Sequence, residues 1–491
     1  MKPMHPARFT LMASLALAGF VIAGPAARVA HAQPRLLTLS LIATDAQGRP
    51  VTDLAPADLQ LTDQSKPLPL LTFRNDALRP PPAPLAPREF TNRPAPALTR
   101  IRVVLFDVLN LNTEMRQSKI DQIVKVLEPQ EKSESIYCYV LNLRGELVPV
   151  RALPSTASSA AAPAPEQWTR GIRPLLERAV GPVAAIVPVE VRAQSTRVER
   201  TFAALEILAG RLAPLPGRKD ILWISFGVPS SLVTPDGQPF DCFPNLRKVA
   251  SKLADAGAVV DPLNQLASSG DTTNLATLEE FAAVTGGRVY QGADVERDLP
   301  TALESGQSLY RLQYAPPAES WDGKLHKLHL ATTRKGVTLQ TRQSYLAEKP
   351  APLPAEKDRA LALLQQPLDR GAIALRVTTT PGVQPHALHL SISVDPQDLL
   401  LTQQDDKTIA QFTFYFAAYL SAGKPQDNDK LQTYDAIPVN LSLTAPQRDK
   451  VLRDGLRLGN DLTVPDAATR LRVVILDRAS GATASVTIPL V

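Results

Sequence analysis

Histidines, cysteines and adjacent carboxylates are the residues with the chemistry to catalyse or to hold a metal, and the chain has six histidines and two cysteines. His5 and His31 fall in a segment read below as a removable leader. The other four come as His326/His329 and His386/His389, both pairs in stretches with strand patterning. A separation of three puts strand side chains on opposite faces. Neither pair can chelate one ion, and the expectation is surface or edge histidines. Glu279-Glu280 and Asp405-Asp406 are the adjacent acids a glycosidase would use, but the first pair reads as helix and the second as a turn, so both are expected in solvent. Arg197, Glu199 and Arg200 read as an exposed helix face, and Trp223 and Trp321 as packing anchors. No Gly-x-Ser-x-Gly elbow, phosphate-cradling loop or Gly-x-Gly-x-x-Gly turn occurs. The expectation is a non-catalytic protein, with a hydrolase of unknown class as an alternative.

The elements that would position any site are set by length and composition. A chain of 491 residues holds three or four domains. With 45 prolines and 5% aromatics, small domains of short strands joined by stiff linkers are expected; collagen-like and coiled-coil classes are excluded. Residues 1–32 carry Lys2 and Arg8, an apolar run over 9–24 and the small-residue ending Ala30-His31-Ala32. This pattern predicts a signal peptide cleaved after Ala32, hence export to the periplasm or the medium and no stable membrane insertion afterwards. Loss of Lys2, Arg8 and Arg28 takes the charge balance from 53 against 48 to 50 against 48, about +2. A role in coating nucleic acid loses its support. Export also permits a Cys138–Cys242 disulfide, although Cys138 sits in a buried-strand pattern and Cys242 in a loop-like one. Two separate thiols is the preferred reading, and pairing stays open.

Hydrophobic patterning divides the rest. Alternation and turn chemistry predict a small β module over 33–77, and the run Pro80-Pro81-Pro82 an extended linker over 78–99. From Ile101 a continuous apolar strand of the kind buried on both faces begins a region over 100–348 in which strands alternate with helices. Its strands are expected over 101–107, 135–142, 220–225 and 258–260, then near 309–314, 325–331 and 337–345. Helices are expected over 114–128, 195–212, 246–256, 275–284 and 295–305. The order predicts an α/β doubly wound, Rossmann-like central domain. Stretches 155–165 and 229–244 read as surface insertions. A linker helix within 349–368 then leads to a β-sandwich-like region over 369–491. There Leu388, Leu390, Ile392 and Val394 alternate with polar residues, and Phe412, Phe414 and Phe416 repeat the period.

Four segments in this order resemble the von Willebrand factor A-related domain family of the acidobacterial secreted type. They are Gly48-Arg49-Pro50-Val51-Thr52-Asp53-Leu54 with Ala57-Asp58-Leu59; Pro216-Gly217-Arg218-Lys219-Asp220-Ile221-Leu222-Trp223-Ile224-Ser225; Thr285-Gly286-Gly287-Arg288; and Trp321-Asp322-Gly323-Lys324 leading to Gly336-Val337. The likeness spans roughly 36–346. It implies an N-terminal β module followed by a von Willebrand A-type α/β domain used for binding. It also implies a divalent cation at the C-terminal edge of the sheet, held by Asp-x-Ser-x-Ser, a Thr from a later loop and an Asp after a central strand. Here Asp107 matches the first Asp, Leu109 and Leu111 occupy the Ser positions, and Ser225 stands where the later Asp would be. Thr196 could fill the Thr position. Two side chains hold Mg²⁺ poorly against water, so the metal site reads as lost, with Asp107 its remnant. Asn110 and Asn112 are possible replacement ligands; alternatively Asp107 and these Asn residues cap the helix beginning near Thr113.

The expectation is therefore a non-catalytic, exported binding protein without a cofactor. It would contact a protein or a surface polymer, not nucleic acid, through Asp107, Asn110, Asn112, Thr113, Thr196 and Ser225 at the sheet edge. A Mg²⁺-dependent adhesion domain with an altered ligand set is the alternative.

Overall fold

The computed structural model describes residues 35–490 except 76–83, 94–99, 134, 154–170, 184, 186–187, 189–192, 216, 234–236, 266–272, 293, 305–309, 350–353, 367–368, 385 and 421–429. The expected leader and the expected insertion over 155–165 lie outside the described residues. No described helix is long and apolar enough to cross a membrane.

The sheet that carries the candidate residues has five strands. They are β6 (Arg100–Asp107), β7 (Ile136–Leu141), β8 (Leu147–Arg151), β9 (Arg218–Ser225) and β12 (Ala258–Asn264), in the order β12-β9-β6-β7-β8. All neighbours are parallel except β7 and β8. Alternation along β6 sends Val103 and Leu105 into a core with α3 (Gln194–Leu212), α4 (Phe243–Asp255) and α5 (Thr273–Thr285). Val104 and Phe106 go to the opposite core, with α1 (Thr113–Leu127), α2 (Ile172–Val180) and α6 (Val295–Glu304). Burial on both sides explains why these strands read as unbroken apolar runs.

The expected fold class, an α/β doubly wound central domain over 100–348, is corrected. The described residues are mostly β, 40% strand against 29% helix, distributed over several sheets. The three strands expected to close the α/β region do not join its sheet. Strand β13 (Tyr310–Tyr314) pairs with β1 (Leu37–Thr44) and β4 (Thr72–Asn75), and β14 (Leu325–Thr332) pairs with β2 (Leu59–Asp63) and β16 (Ser344–Leu346). With β3 (Lys66–Leu68) and β15 (Thr338–Gln340) they form two four-stranded sheets, β15-β1-β13-β4 and β16-β14-β2-β3. Their shared core includes Leu39, Leu41, Leu61, Leu312, Tyr314 and Tyr345. The physical reason is visible in β13, where buried Tyr310, Leu312 and Tyr314 alternate with half-buried Arg311 and Gln313. One wet face marks an antiparallel strand, not one covered by helices on both sides.

The C-terminal region is a β-sandwich. One sheet, β23-β18-β17-β5, comprises β17 (Leu375–Pro381), β18 (Ala387–Val394), β23 (Leu456–Thr463) and β5 (Glu89–Thr91). The other is built on β20 (Lys407–Leu420), β24 (Ala468–Asp477) and β25 (Thr483–Pro489). Leu390, Ile392, Phe412, Phe414 and Phe416 face one another in its core, as the period-two pattern requires. Strand β5 comes from the stretch read as a linker; its register on β17 runs from Arg376 opposite Thr91 to Thr378 opposite Glu89. The helix α7 (Glu356–Gln365) packs Leu363 and Leu364 against Ala417 and Val474 on the outside of the sandwich.

Candidate functional site

Asp107 ends β6 and Ser225 ends β9, and because these strands are parallel neighbours both residues reach the same rim. Positions two apart share a face. Trp223 therefore points the same way as Ser225, and Leu105 the same way as Asp107. The carboxylate of Asp107 is fully buried and accepts four hydrogen bonds. Its Oδ1 accepts from the Asn110 backbone N–H at 3.1 Å. Its Oδ2 accepts from Asn110 Nδ2 at 2.8 Å, Ser225 Oγ at 2.7 Å and Trp223 Nε1 at 3.2 Å.

A second ring of contacts holds these donors. Ser225 Oγ accepts from the Gly227 N–H at 2.8 Å. Gly227 has φ +75°, and a Cβ there would stand 2.9 Å from the Asn274 carbonyl, so the turn admits only glycine. Asn110 Nδ2 also reaches Thr201 Oγ1 at 2.8 Å, which ties the loop after β6 to α3. The Trp223 ring meets Phe281 edge-on at 5.3 Å and 86°, fixing the indole N–H toward the carboxylate. Burial raises the Asp107 carboxyl above the ordinary carboxylate range, while Asn110, Ser225 and Trp223 pull it back by bonding the ionised form.

The lone pairs of Asp107 are taken up by donors of the protein itself. Mg²⁺ and Ca²⁺ need converging oxygen lone pairs, whereas the groups around Asp107 present N–H and O–H donors. Leu109 and Leu111, 1% and 4% exposed, turn away into the two cores. Among the described residues no cluster of three or more His, Cys, Asp or Glu side chains could hold a metal.

Of the residues expected at this edge, the structure brings together Asp107, Asn110 and Ser225. Asn112 is exposed at the N-cap of α1, where its side chain makes no capping bond, and Thr113 is the exposed first residue of that helix. Thr196 lies in the first turn of α3; the threonine bonded to Asn110 is Thr201. Sequence reasoning missed Thr201, Gly227 and the polar role of Trp223. The tryptophan was detectable, since a buried indole N–H needs an acceptor and Trp223 shares a face with Ser225.

Other chemistry-bearing residues are placed as follows. His326 is buried, correcting the surface reading. Its Nδ1 lies 3.0 Å from Asp63 and its Nε2 3.1 Å from Asp322, and Tyr345 donates to Asp63 at 2.6 Å. His329, on the opposite face, is exposed, and His389 pairs with Asp461 at 2.7 Å. Glu280 pairs with Arg247, while Glu279, Asp405 and Asp406 are exposed. Cys138 and Cys242 are both free and buried, in cores on opposite sides of the five-stranded sheet, so they do not form a disulfide. Burial pushes the Cys138 thiol up to about 12. An open cleft of about 470 Å³ between α1 and α6, lined by Arg102, Lys125, Glu296 and Glu304, lies at the other end of β6.

No family model matches the sequence, and no curated protein matches it significantly. Among solved structures, the chain is similar to the open conformation of the pilus adhesin SpaC from Lactobacillus rhamnosus GG. The identity is 9% over 78% of this chain, with a TM-score of 0.25. A β-glucosidase from Listeria innocua in complex with isofagomine aligns at 7% identity over 82% of this chain, with a TM-score of 0.18. This chain spans 64% of that adhesin and 48% of that glucosidase. Likenesses this loose bear on neither the fold nor the function.

Proposed function

We propose that this chain is an exported, non-catalytic recognition protein. It would bind another protein or a surface polymer through the rim where β6 and β9 end, without a bound cation. The observation that carries the reading is the saturation of Asp107. Four internal donors occupy the one carboxylate that a cation at this edge would need, and the same bonds fix the loops on either side of it. A scaffold that rigidly presents loops spends less free energy on ordering them when a partner binds. The exposed residues of that rim, Asn112 and Thr113 with half-buried Pro229 and Ser230, supply its polar contact surface.

The test is photocrosslinking in the producing cells. A photoreactive residue replaces Asn112 at the rim or His329 on the β14 face, each with and without EDTA. The expected result is a discrete crosslinked species from position 112, absent from position 329 and unchanged by EDTA. Crosslinks from neither position, or equally from both, would refute recognition through this rim. A crosslink lost in EDTA would instead establish cation-dependent adhesion.

A further inference from the structure

His326 is the second residue of β14 and is buried on the face that also carries Leu328. Both of its ring nitrogens meet carboxylates: Nδ1 lies 3.0 Å from Asp63 Oδ1 on β2, and Nε2 lies 3.1 Å from Asp322 Oδ1 in the turn ahead of β14. An ionised carboxylate only accepts hydrogen bonds, and an imidazole donates from both nitrogens only as the imidazolium ion. The arrangement is therefore that of a charged ring clamped between two anions. Its two partners differ in their freedom. Asp63 has a side chain 4% exposed and also accepts from the Tyr345 hydroxyl at 2.6 Å, whereas the Asp322 side chain is 38% exposed.

The Asp322 turn reaches across to the central region. Trp321 meets the Tyr345 ring edge-on at 6.1 Å, and the Arg35 guanidinium lies over the indole at 5.2 Å. Arg35 in turn bonds Asp255, the last residue of α4, at 2.8 Å. The far side of the turn is pinned separately: the Gly323 N–H donates to the Ala347 carbonyl, and the Ala347 N–H to the Lys324 carbonyl, each at 2.8 Å. Movement is thereby confined to the short helix Ala318–Ser320 and the two residues after it. The other titratable or charged groups around the ring are Lys324, 3.8 Å from the Asp322 carboxylate, Tyr345, 3.3 Å from Nδ1, and Tyr314, whose ring lies 6.3 Å from that of Tyr345. Buried Arg342 faces Tyr314 and donates to the Ser344 carbonyl.

We propose that His326 is a pH-operated latch: its imidazolium form holds Asp322 and the Trp321 turn closed, and loss of the Nε2 proton at higher pH releases them. A neutral ring has one N–H for two carboxylates. That proton stays with Asp63, because a buried anion stripped of a donor is costly. The bare Nε2 lone pair then opposes the Asp322 oxygen, and Asp322, being part-exposed, turns to water. Trp321 follows, and its Arg35 link to α4 loosens. The sign is fixed by the chemistry: closed on the acidic side of the imidazole titration, open on the alkaline side.

The experiment is NMR of the purified full chain, carrying 5-fluorotryptophan and ¹⁵N-histidine, from about pH 5 to about pH 9. Trp321→Phe and His326→Gln assign the two resonances. The expected result is one step in the Trp321 fluorine shift, with the midpoint at which the His326 ring nitrogens titrate. Asp322→Asn supplies a carboxamide that accepts from a protonated Nε2 and donates to a bare one. In that variant, confirmed as folded by circular dichroism, His326 should still titrate and the Trp321 step should be lost. A Trp321 resonance that stays fixed while His326 titrates would overturn the proposal, as would a ring that keeps one protonation state throughout. A step that survives His326→Gln belongs to another group and overturns it too. A step retained in Asp322→Asn would overturn the role assigned to that carboxylate.

Discussion

Asp107 and Ser225 stand 118 positions apart and meet at 2.7 Å, the hydroxyl of Ser225 donating to the Asp107 carboxylate. This bond fastens the C-terminal ends of β6 and β9 together. Ser225→Ala removes a donor from a fully buried carboxylate and leaves the Gly227 N–H without its acceptor. We expect a loss of about 1–3 kcal/mol, read from urea denaturation by tryptophan fluorescence. A change within experimental error would mean that the carboxylate finds other donors.

Millimolar Mg²⁺, Mn²⁺ or Ca²⁺ should leave the thermal midpoint of the chain where EDTA leaves it, because a ligand of the native state must raise it. A rise that Asp107→Ala abolishes would restore the altered ligand set of Asp107, Asn110, Asn112 and Thr196.

Stability should depend on pH through Lys219. Its folded value of about 7 lies below the ordinary 10.5, so between these limits the unfolded chain binds more protons. Stability therefore rises with pH across that window, and the full penalty applies below it. Lys219→Met should be more stable than wild type near neutrality by on the order of a few kcal/mol. The advantage should shrink toward the alkaline end, as followed by urea titrations across the window. A constant difference at every pH would refute the linkage.

Tyr345→Phe deletes the phenol that donates to Asp63 at 2.6 Å inside the His326 network. With Asp63 4% exposed, the expected cost is about 1–3 kcal/mol. His329→Ala, on the wet face of β14, should stay within about 0.5 kcal/mol. Equal effects would show that the network is not what holds β2 to β16.

Both thiols should be silent toward Ellman's reagent in the native state and both should react in denaturant, since each cysteine is free and 0% exposed. Dithiothreitol should not move the melting temperature. A reductant-sensitive midpoint would reveal a disulfide formed elsewhere in the folding history.

What could be read in the sequence follows from which forces act locally. The continuous apolar runs of β6 and β9 identify strands buried on both faces, and the alternation around Leu390 and Phe414 identifies the two faces of the sandwich. Pairing partners are not local. The alternation of β13 was legible, but the chain alone does not say that its mates are β1 and β4, far upstream. Three residues of β5 carry too little pattern to separate a sheet edge from an extended linker. At the rim, Asp107 and Ser225 could be identified because strand ends converge. Thr201 could not, since its contact with Asn110 depends on how α3 is rotated against the sheet. His326 was misplaced because spacing predicts which face a residue takes, not whether that face is covered.

The bond from the Leu54 N–H to the Tyr310 hydroxyl spans 256 positions, and the β1–β13 register spans a comparable stretch. During synthesis, the first strands emerge long before the partners that complete their sheets. Until then β1 and β2 present bare edges, open to mispairing or to a holding chaperone. Loop closure over such distances is slow. The order in which the segments arrive thus becomes a constraint on how the protein reaches its native state, and truncations upstream of Tyr310 should yield aggregation-prone chains, not smaller working versions.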